Sequence, residues 1–477
     1  MNKFKALLAV AVAVFVAAPA FAETQNVKVS GSLDAYAFYR SNFDLTKNND
    51  AGSVSGPSSS TPASVPGSVH TGNDLTSQQS NSDSYFMSIT QVQVSANLTD
   101  NVSTVIDLIN QRDWNANEYG DTTASASSHE FDVLLDLAYV QMKEIFYSPL
   151  TLTIGRQNIV FGRGFIVGWN PQDPNANIQA DEFTQIQSFD AIRATLDFNP
   201  WTIDLVYSKV KEGALNAEDD RDEYMANINY KFSEYNAVAE AYYFGDFDRN
   251  TVSGASGSRE NDTSTVGGRI QFDPITQITL GGEAAYQFGD YQASVSANRR
   301  DRDAWALDLF GEYHWDNTWK PMVGVEYVYL SGESDLSSGA TGSYGSWNGS
   351  FRLPVYGWIH DYLEVYYATG SPSDQAAGQN QQDICLYGSI KPMTDLQLSA
   401  QFYHFWTAQT AHLIPTSPSS KALNSDIGNE IDTLITYNYT ADVTFNTYAN
   451  WFIPGNLYSS PNNATATEVI QEVKVTF

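Results

Sequence analysis

Residues Trp201-Thr202-Ile203-Asp204-Leu205-Val206-Tyr207-Ser208 decide how this chain folds. Trp201, Ile203, Leu205 and Tyr207 share one side, and Asp204 falls on the other. Ala304 to Trp315 repeats the pattern: Trp305, Leu307, Leu309, Tyr313 and Trp315 alternate with Asp308, Glu312 and His314. Alternation with a period of two is the signature of a strand with unlike faces. In a soluble sandwich the apolar face packs against a second sheet. In a membrane barrel it faces lipid, and the polar face lines the lumen.

The punctuation between strands separates these two readings. Tight turns are expected at Thr99-Asp100-Asn101, Tyr147-Ser148-Pro149, Asn199-Pro200, Glu234-Tyr235-Asn236, Asp273-Pro274, Asp316-Asn317-Thr318, Pro392 to Asp395 and Thr440-Ala441-Asp442. Between them run long stretches rich in Ser, Gly, Pro and Asn: 42–84, 113–130, 157–188, 212–222, 248–263, 289–303, 332–382, 410–429 and 453–467. Strict alternation of short and long connections predicts an all-β fold: one antiparallel transmembrane barrel of 18 strands, with short periplasmic turns and long extracellular loops. Residues 344–369 carry aromatic-rich stretches that would add a hairpin and give 20 strands. Pro354 and glycines interrupt that pattern, so loop structure is expected there.

Composition agrees with a barrel. The 477 residues are 42% hydrophobic but only 17% charged, against about 25% charged in ordinary soluble domains. With 55 acidic and 25 basic residues the formal charge is −30, which excludes nucleic acid as a natural partner because its phosphates would be repelled. The single Cys385 excludes an internal disulfide and a multi-cysteine zinc site. No cofactor motif is found. At the start, Lys3 and Lys5 precede the apolar run Ala6 to Ala18, and Ala20-Phe21-Ala22 forms a small-residue cleavage site. A spanning helix needs about 20 apolar residues, so residues 1–22 are expected to be a removed signal peptide and 23–477 the barrel. At the other end Val469, Val473, Val475 and Phe477 share one face. A last strand ending in Phe resembles the signal by which barrels engage their assembly machinery. Pairing it with the strand from Val27 to Arg40 would close the sheet.

Parity then assigns the lumen. The inward acids would be Asp107, Asp132, Asp136, Asp197, Asp204, Glu240, Glu283, Asp308, Glu312, Glu326, Glu430, Asp432 and Glu472, and the inward bases Arg193, Lys231, Arg269, Lys391 and Lys474. Charges belong there because Arg or Lys on the lipid face costs about 2–4 kcal/mol at the midplane. An acid-rich wall favours cations. Each acid also has a plainer role, pairing with wall bases or with loops folded inside. Segments 157–188 and 332–382, with Trp169, Trp347 and Trp358, are the candidates for narrowing the passage. The six histidines fall in no nucleophile or metal motif; His404, with Phe402 and Trp406, reads as part of an interfacial girdle.

Three motifs in order resemble the alginate-export-type outer-membrane barrels. They are Ile154-Gly155-Arg156-Gln157 with Phe161-Gly162-Arg163-Gly164 and Phe189-Asp190-Ala191-Ile192-Arg193; Lys391-Pro392 with Tyr403-His404-Phe405-Trp406; and Gly428-Asn429-Glu430-Ile431-Asp432 with Phe452-Ile453-Pro454-Gly455. The resemblance implies a solute conduit in the bacterial outer membrane, narrowed by loops, with Arg156, Arg163 and Arg193 serving an anionic sugar polymer. The acid-rich parity argument points instead to a passive channel for small cations or neutral solutes. An export conduit for a polysaccharide such as alginate is the alternative, and a barrel enzyme or adhesin with a closed pore is a third.

Overall fold

The computed structural model describes residues 26–43, 45, 82–114, 133–170, 183–211, 220–248, 261–292, 297–334, 340–361, 379–410, 425–457 and 464–477. The expected leader, Asp132 and most of the stretch 51–84 lie outside the described residues. The strands are β1 (Asn26–Ser41), β2 (Ser82–Thr99), β3 (Val102–Asp113), β4 (Leu134–Met142), β5 (Leu150–Gln157), β6 (Phe189–Asp197), β7 (Trp201–Lys211), β8 (Arg221–Lys231) and β9 (Val238–Asp248). They continue as β10 (Asn261–Ile275), β11 (Ile278–Tyr291), β12 (Arg300–His314), β13 (Met322–Leu330), β14 (Gln381–Met393), β15 (Leu396–Thr407), β16 (Asp426–Asn438), β17 (Val443–Pro454) and β18 (Ala466–Thr476). Each pairs antiparallel with its chain neighbours, and β1 pairs with both β2 and β18, so the 18-stranded sheet closes on itself. Closure leaves no unpaired edge, the condition for strands in a medium that offers no hydrogen bonds.

The seam is finished by the last residue. Phe477 and Gly31 exchange backbone hydrogen bonds at 2.9 and 3.0 Å. The Phe477 ring lies over Gly31, where an added Cβ would come within 2.6 Å of it.

Alternation sorts the two faces as the sequence implies. Ile192, Leu205, Val266, Leu280, Trp305, Leu309, Val325, Leu386, Phe402 and Ile431 are large, apolar and exposed. Their strand neighbours of opposite parity, among them Asp204, Glu283, Asp308 and Asp432, are buried. Aromatic pairs mark both rims: Trp201–Tyr230 and Tyr313–Trp315 at the short-turn end, Phe86–Trp114 and Trp305–Tyr329 at the other. Rings of this amphipathic kind collect where hydrocarbon meets headgroup. His404 sits 5.2 Å from the Trp406 ring and contacts Asn429 Oδ1.

Two turns differ from expectation. β10 continues through Asp273-Pro274 with a register shift between Phe272 and Ile275, and the chain reverses at Thr276-Gln277. β14 likewise runs past Pro392 to Met393 across a register shift. A bulge leaves a residue outside the ladder, so proline's missing N–H costs nothing there. No added hairpin forms among the described part of 344–369. Residues 351–357 are irregular and 358–361 make one helical turn.

Candidate functional site

The inner wall is organised by register. Directly paired residues share a face, and Glu240, Arg269, Glu283, Asp308, Val328 and Asp383 form one continuous row from β9 to β14. Arg269 binds Glu240 at 2.7 Å. Glu283 accepts from the Tyr242 hydroxyl at 2.8 Å. Next to that row, Glu312 accepts from the Tyr387 hydroxyl at 2.9 Å. Arg193 binds Asp204 at 2.8 Å, Asp107 accepts from Gln93 at 3.3 Å, and Asp136 accepts from the Ser188 hydroxyl at 3.1 Å.

Three aromatics shape this wall that parity alone missed. Tyr242, Phe310 and Tyr387 point inward directly opposite Gly267, Gly281 and Gly324. An ideal Cβ on those glycines would lie 2.5, 2.2 and 2.3 Å from the facing side chain. Glycine therefore clears the floor on which each ring lies, and the rings serve the charges: Tyr242 and Tyr387 donate to Glu283 and Glu312, while Phe310 carries Arg163 at 4.2 Å. The signal was present in the sequence, as inward aromatics on otherwise polar faces.

The described parts of two long connections, 158–170 and 340–361, fold into the barrel. Ile159, Phe161, Phe165 and Val167 are buried together with Trp347, Phe351, Tyr356 and Ile359 in one cluster. The two segments are joined by backbone bonds: Gly168 N–H donates to Phe351 O at 2.9 Å and Leu353 N–H to Gly164 O at 2.8 Å. Gly164 has φ +78°, and a Cβ there would meet Leu353 Cβ at 2.7 Å, so the crossing needs glycine on both counts. A third stretch, 183–188, lies along the wall, with Phe183 stacked on Trp358 at 5.0 Å and Tyr36 and Phe38 beneath it. Trp347 is buried, so it packs its segment against the wall.

Wall carboxylates hold these segments. Arg163 lies between Asp308 at 3.0 Å and Glu326 at 2.7 Å. Burial disfavours its charge, but the two carboxylates outweigh that and keep the guanidinium protonated. Gly162 N–H donates to Glu240 at 3.1 Å. Further round the wall, on β16, the Glu430 carboxylate receives the backbone N–H of Ile359 and of His360, each at 2.7 Å, and Asp432 receives that of Trp358 at 3.4 Å. Burial pulls the His360 imidazole below its usual range, and the ring stacks on Phe405 at 3.7 Å.

One sequence-derived site residue moves. Arg156 shares its strand face with Ile154 and pairs across to Asp190, on the face of Ile192; both isoleucines point out of the barrel. Asp136 stands at a bulge, where the pairing jumps from Asp107↔Leu137 to Leu108↔Leu135. The bulge carbonyl accepts from Arg156 Nε at 3.0 Å, and the Arg156 head lies 3.7 Å from Asp190. Arg156 satisfies an irregular backbone on the outer side and does not join Arg163, Arg193 and Arg269.

A closed 18-stranded wall with an apolar outer face, a charged inner face and inward-folded connections defines a porin-like outer-membrane barrel. The model of the alginate export family matches residues 67–471, and the chain belongs to that family. Its fold is similar to a BenF-like porin from Pseudomonas fluorescens Pf-5, with 10% identity and a TM-score of 0.50 over 95% of this chain and 100% of the other. It is also similar to OccK2 (OpdF) of Pseudomonas aeruginosa, with 9% identity and a TM-score of 0.51 over 95% and 98% of the two chains. No curated relative matches the chain.

Proposed function

We propose that this chain is a passive channel through the outer membrane, passing small cations and neutral solutes in preference to anions. Its leader, residues 1–22, is removed on export, the short turns face the periplasm, and the last strand ending in Phe477 is read by the barrel assembly machinery. Segments 158–170 and 340–361 narrow the passage, and flow follows the solute gradient without catalysis.

The observation that carries this reading is the use made of the arginines. Arg163, Arg193 and Arg269 each share their charge with wall carboxylates. Asp107 and Glu283 instead take hydrogen bonds from the neutral Gln93 and Tyr242. Acid surplus on a lumen wall raises local cation concentration and repels anions. The family description favours a second reading, conduction of an anionic polysaccharide, which needs positive charge not already shared.

Liposome swelling separates the two. Vesicles carrying the protein are expected to admit glucose faster than glucuronate, which has nearly the same ring and one added negative charge. Faster entry of glucuronate would favour the polyanion conduit, and no entry of either would favour a closed barrel.

A further inference from the structure

The segment 340–361 is held to the wall at residues 358–361 in an unusual way. Residues 358–361 form a single helical turn inside the barrel. The first N–H groups of such a turn have no partner within it. Here they point at β16: Ile359 and His360 donate to the two oxygens of Glu430, and Trp358 donates to Asp432. Glu430 is 0% exposed and Asp432 4%, so the bonds form away from bulk water, where leaving those backbone N–H groups without an acceptor would be costly.

The surroundings leave the Glu430 carboxylate little alternative. Gly357 lies against it, so that a Cβ there would approach its Cδ to 2.9 Å. Tyr403 and Phe452 flank Glu430 in the register, and Phe405 carries the stacked His360 ring. The turn is also tied by Arg352, whose buried guanidinium binds Asp361 at 3.0 Å. The turn presents Trp358, partly exposed, stacked on Phe183 and 6.0 Å from Tyr448. Whatever fixes this turn therefore fixes where the indole stands beside Phe183 and Tyr448, the latter on β17, the strand next to β16.

We infer that Glu430 is a positioning residue for solute size selection: its carboxylate latches the turn 358–361 to β16 and so sets the limiting width beside Trp358. The inference rests on the channel reading above. Size selection by this latch differs from sign selection by the wall charges, because Glu430 is wholly covered by the turn it holds and presents no oxygen to the passage.

The test is Glu430→Gln in the full-length protein, with Asp432→Asn alongside. Glutamine keeps the volume but can accept only one N–H, and its own amide N–H groups face the second donor. The barrel is checked by retarded mobility in unheated gels. In liposome swelling with neutral sugars from a pentose to a trisaccharide, Glu430→Gln is expected to flatten the size dependence, raising trisaccharide entry relative to pentose entry roughly threefold or more. Asp432→Asn, losing a longer bond, is expected to do less. A folded Glu430→Gln barrel with an unchanged size profile would overturn the latch. If the unaltered protein admits no sugar while Glu430→Gln does, the channel reading fails and the latch stands. If neither conducts, both fail.

Discussion

Replacing Arg163 by alanine should make the channel more cation-selective and its constriction less well held. The side chain reaches from the 158–170 segment to Asp308 and Glu326, whose side chains are 4% and 12% exposed. Removing one member of a buried ion pair strands the others and costs about 3–5 kcal/mol. Arg163 is itself 33% exposed, so a loss of roughly 2 kcal/mol is expected. The electrical consequence is more direct, since one positive charge leaves the lumen and two carboxylates lose their partner. In a planar bilayer under a salt gradient, the reversal potential of Arg163→Ala should move further toward the cation limit than that of the unaltered protein. Lysine at the same position restores the charge but not the fork that spans both acids. It should recover selectivity more fully than the melting temperature. A shift toward anions in Arg163→Ala would refute the pairing.

Gly155→Ala should block barrel formation. Gly155 sits in β5 at φ +120°, and a Cβ would lie 2.1 Å from the carbonyl oxygen of Ala138 and 3.0 Å from Tyr139 Cα. Both obstacles are backbone, so no rotamer relieves them. The neighbouring bulge at Asp136 limits how far β4 can retreat. Strain in this backbone region adds to the contact, for a total above about 3 kcal/mol. Refolding into detergent, followed by comparison of heated and unheated gel mobility, should show a large loss of the compact form. Gly281→Ala meets the far end of the Phe310 side chain at 2.2 Å, an obstacle that can move by rotation where a backbone cannot. That variant should fold and lose part of the support under Arg163. Normal yields of compact Gly155→Ala would show that β5 is less constrained than its geometry implies.

The wall of this protein was legible in its sequence and the interior only in part. Period-two alternation is local, so Trp201–Ser208 and Ala304–Trp315 each declare their two faces without help from the rest of the chain. The turn and loop alternation then sets the strand number. Bulges defeat the same logic: Asp273-Pro274 reads as a turn because proline ends most strands, yet it lies within β10. The family resemblance implies a place in the passage for Arg156, while its strand face follows Ile154 outward. The segments that fold inside have no period at all. That 158–170 and 340–361 meet, and that Glu430 receives backbone N–H groups at 359 and 360, depends on contacts between residues far apart in sequence. Acids on the inward face were identified by parity. Which of them bind a loop, which bind a wall arginine and which take only neutral donors is a property of the assembled barrel.

That division bears on function, because a count of inward charges overstates the field a solute meets. Glu240, Asp308, Glu326 and Glu430 are engaged by loop or wall donors, and Arg163, Arg193 and Arg269 are engaged by acids in return. Asp107 and Glu283 take hydrogen bonds from the neutral Gln93 and Tyr242, and both are buried.

The measurement that tests the central claim most directly is the zero-current potential of the unaltered mature protein in a planar bilayer with a tenfold potassium chloride gradient. An acid-surplus lumen predicts a reversal potential of the sign that marks preferential potassium flow, weakening as both baths are raised in salt because mobile ions screen the wall. A potential of the opposite sign, marking chloride preference, would contradict the account and return Arg163, Arg193 and Arg269 to the role of an anion pathway.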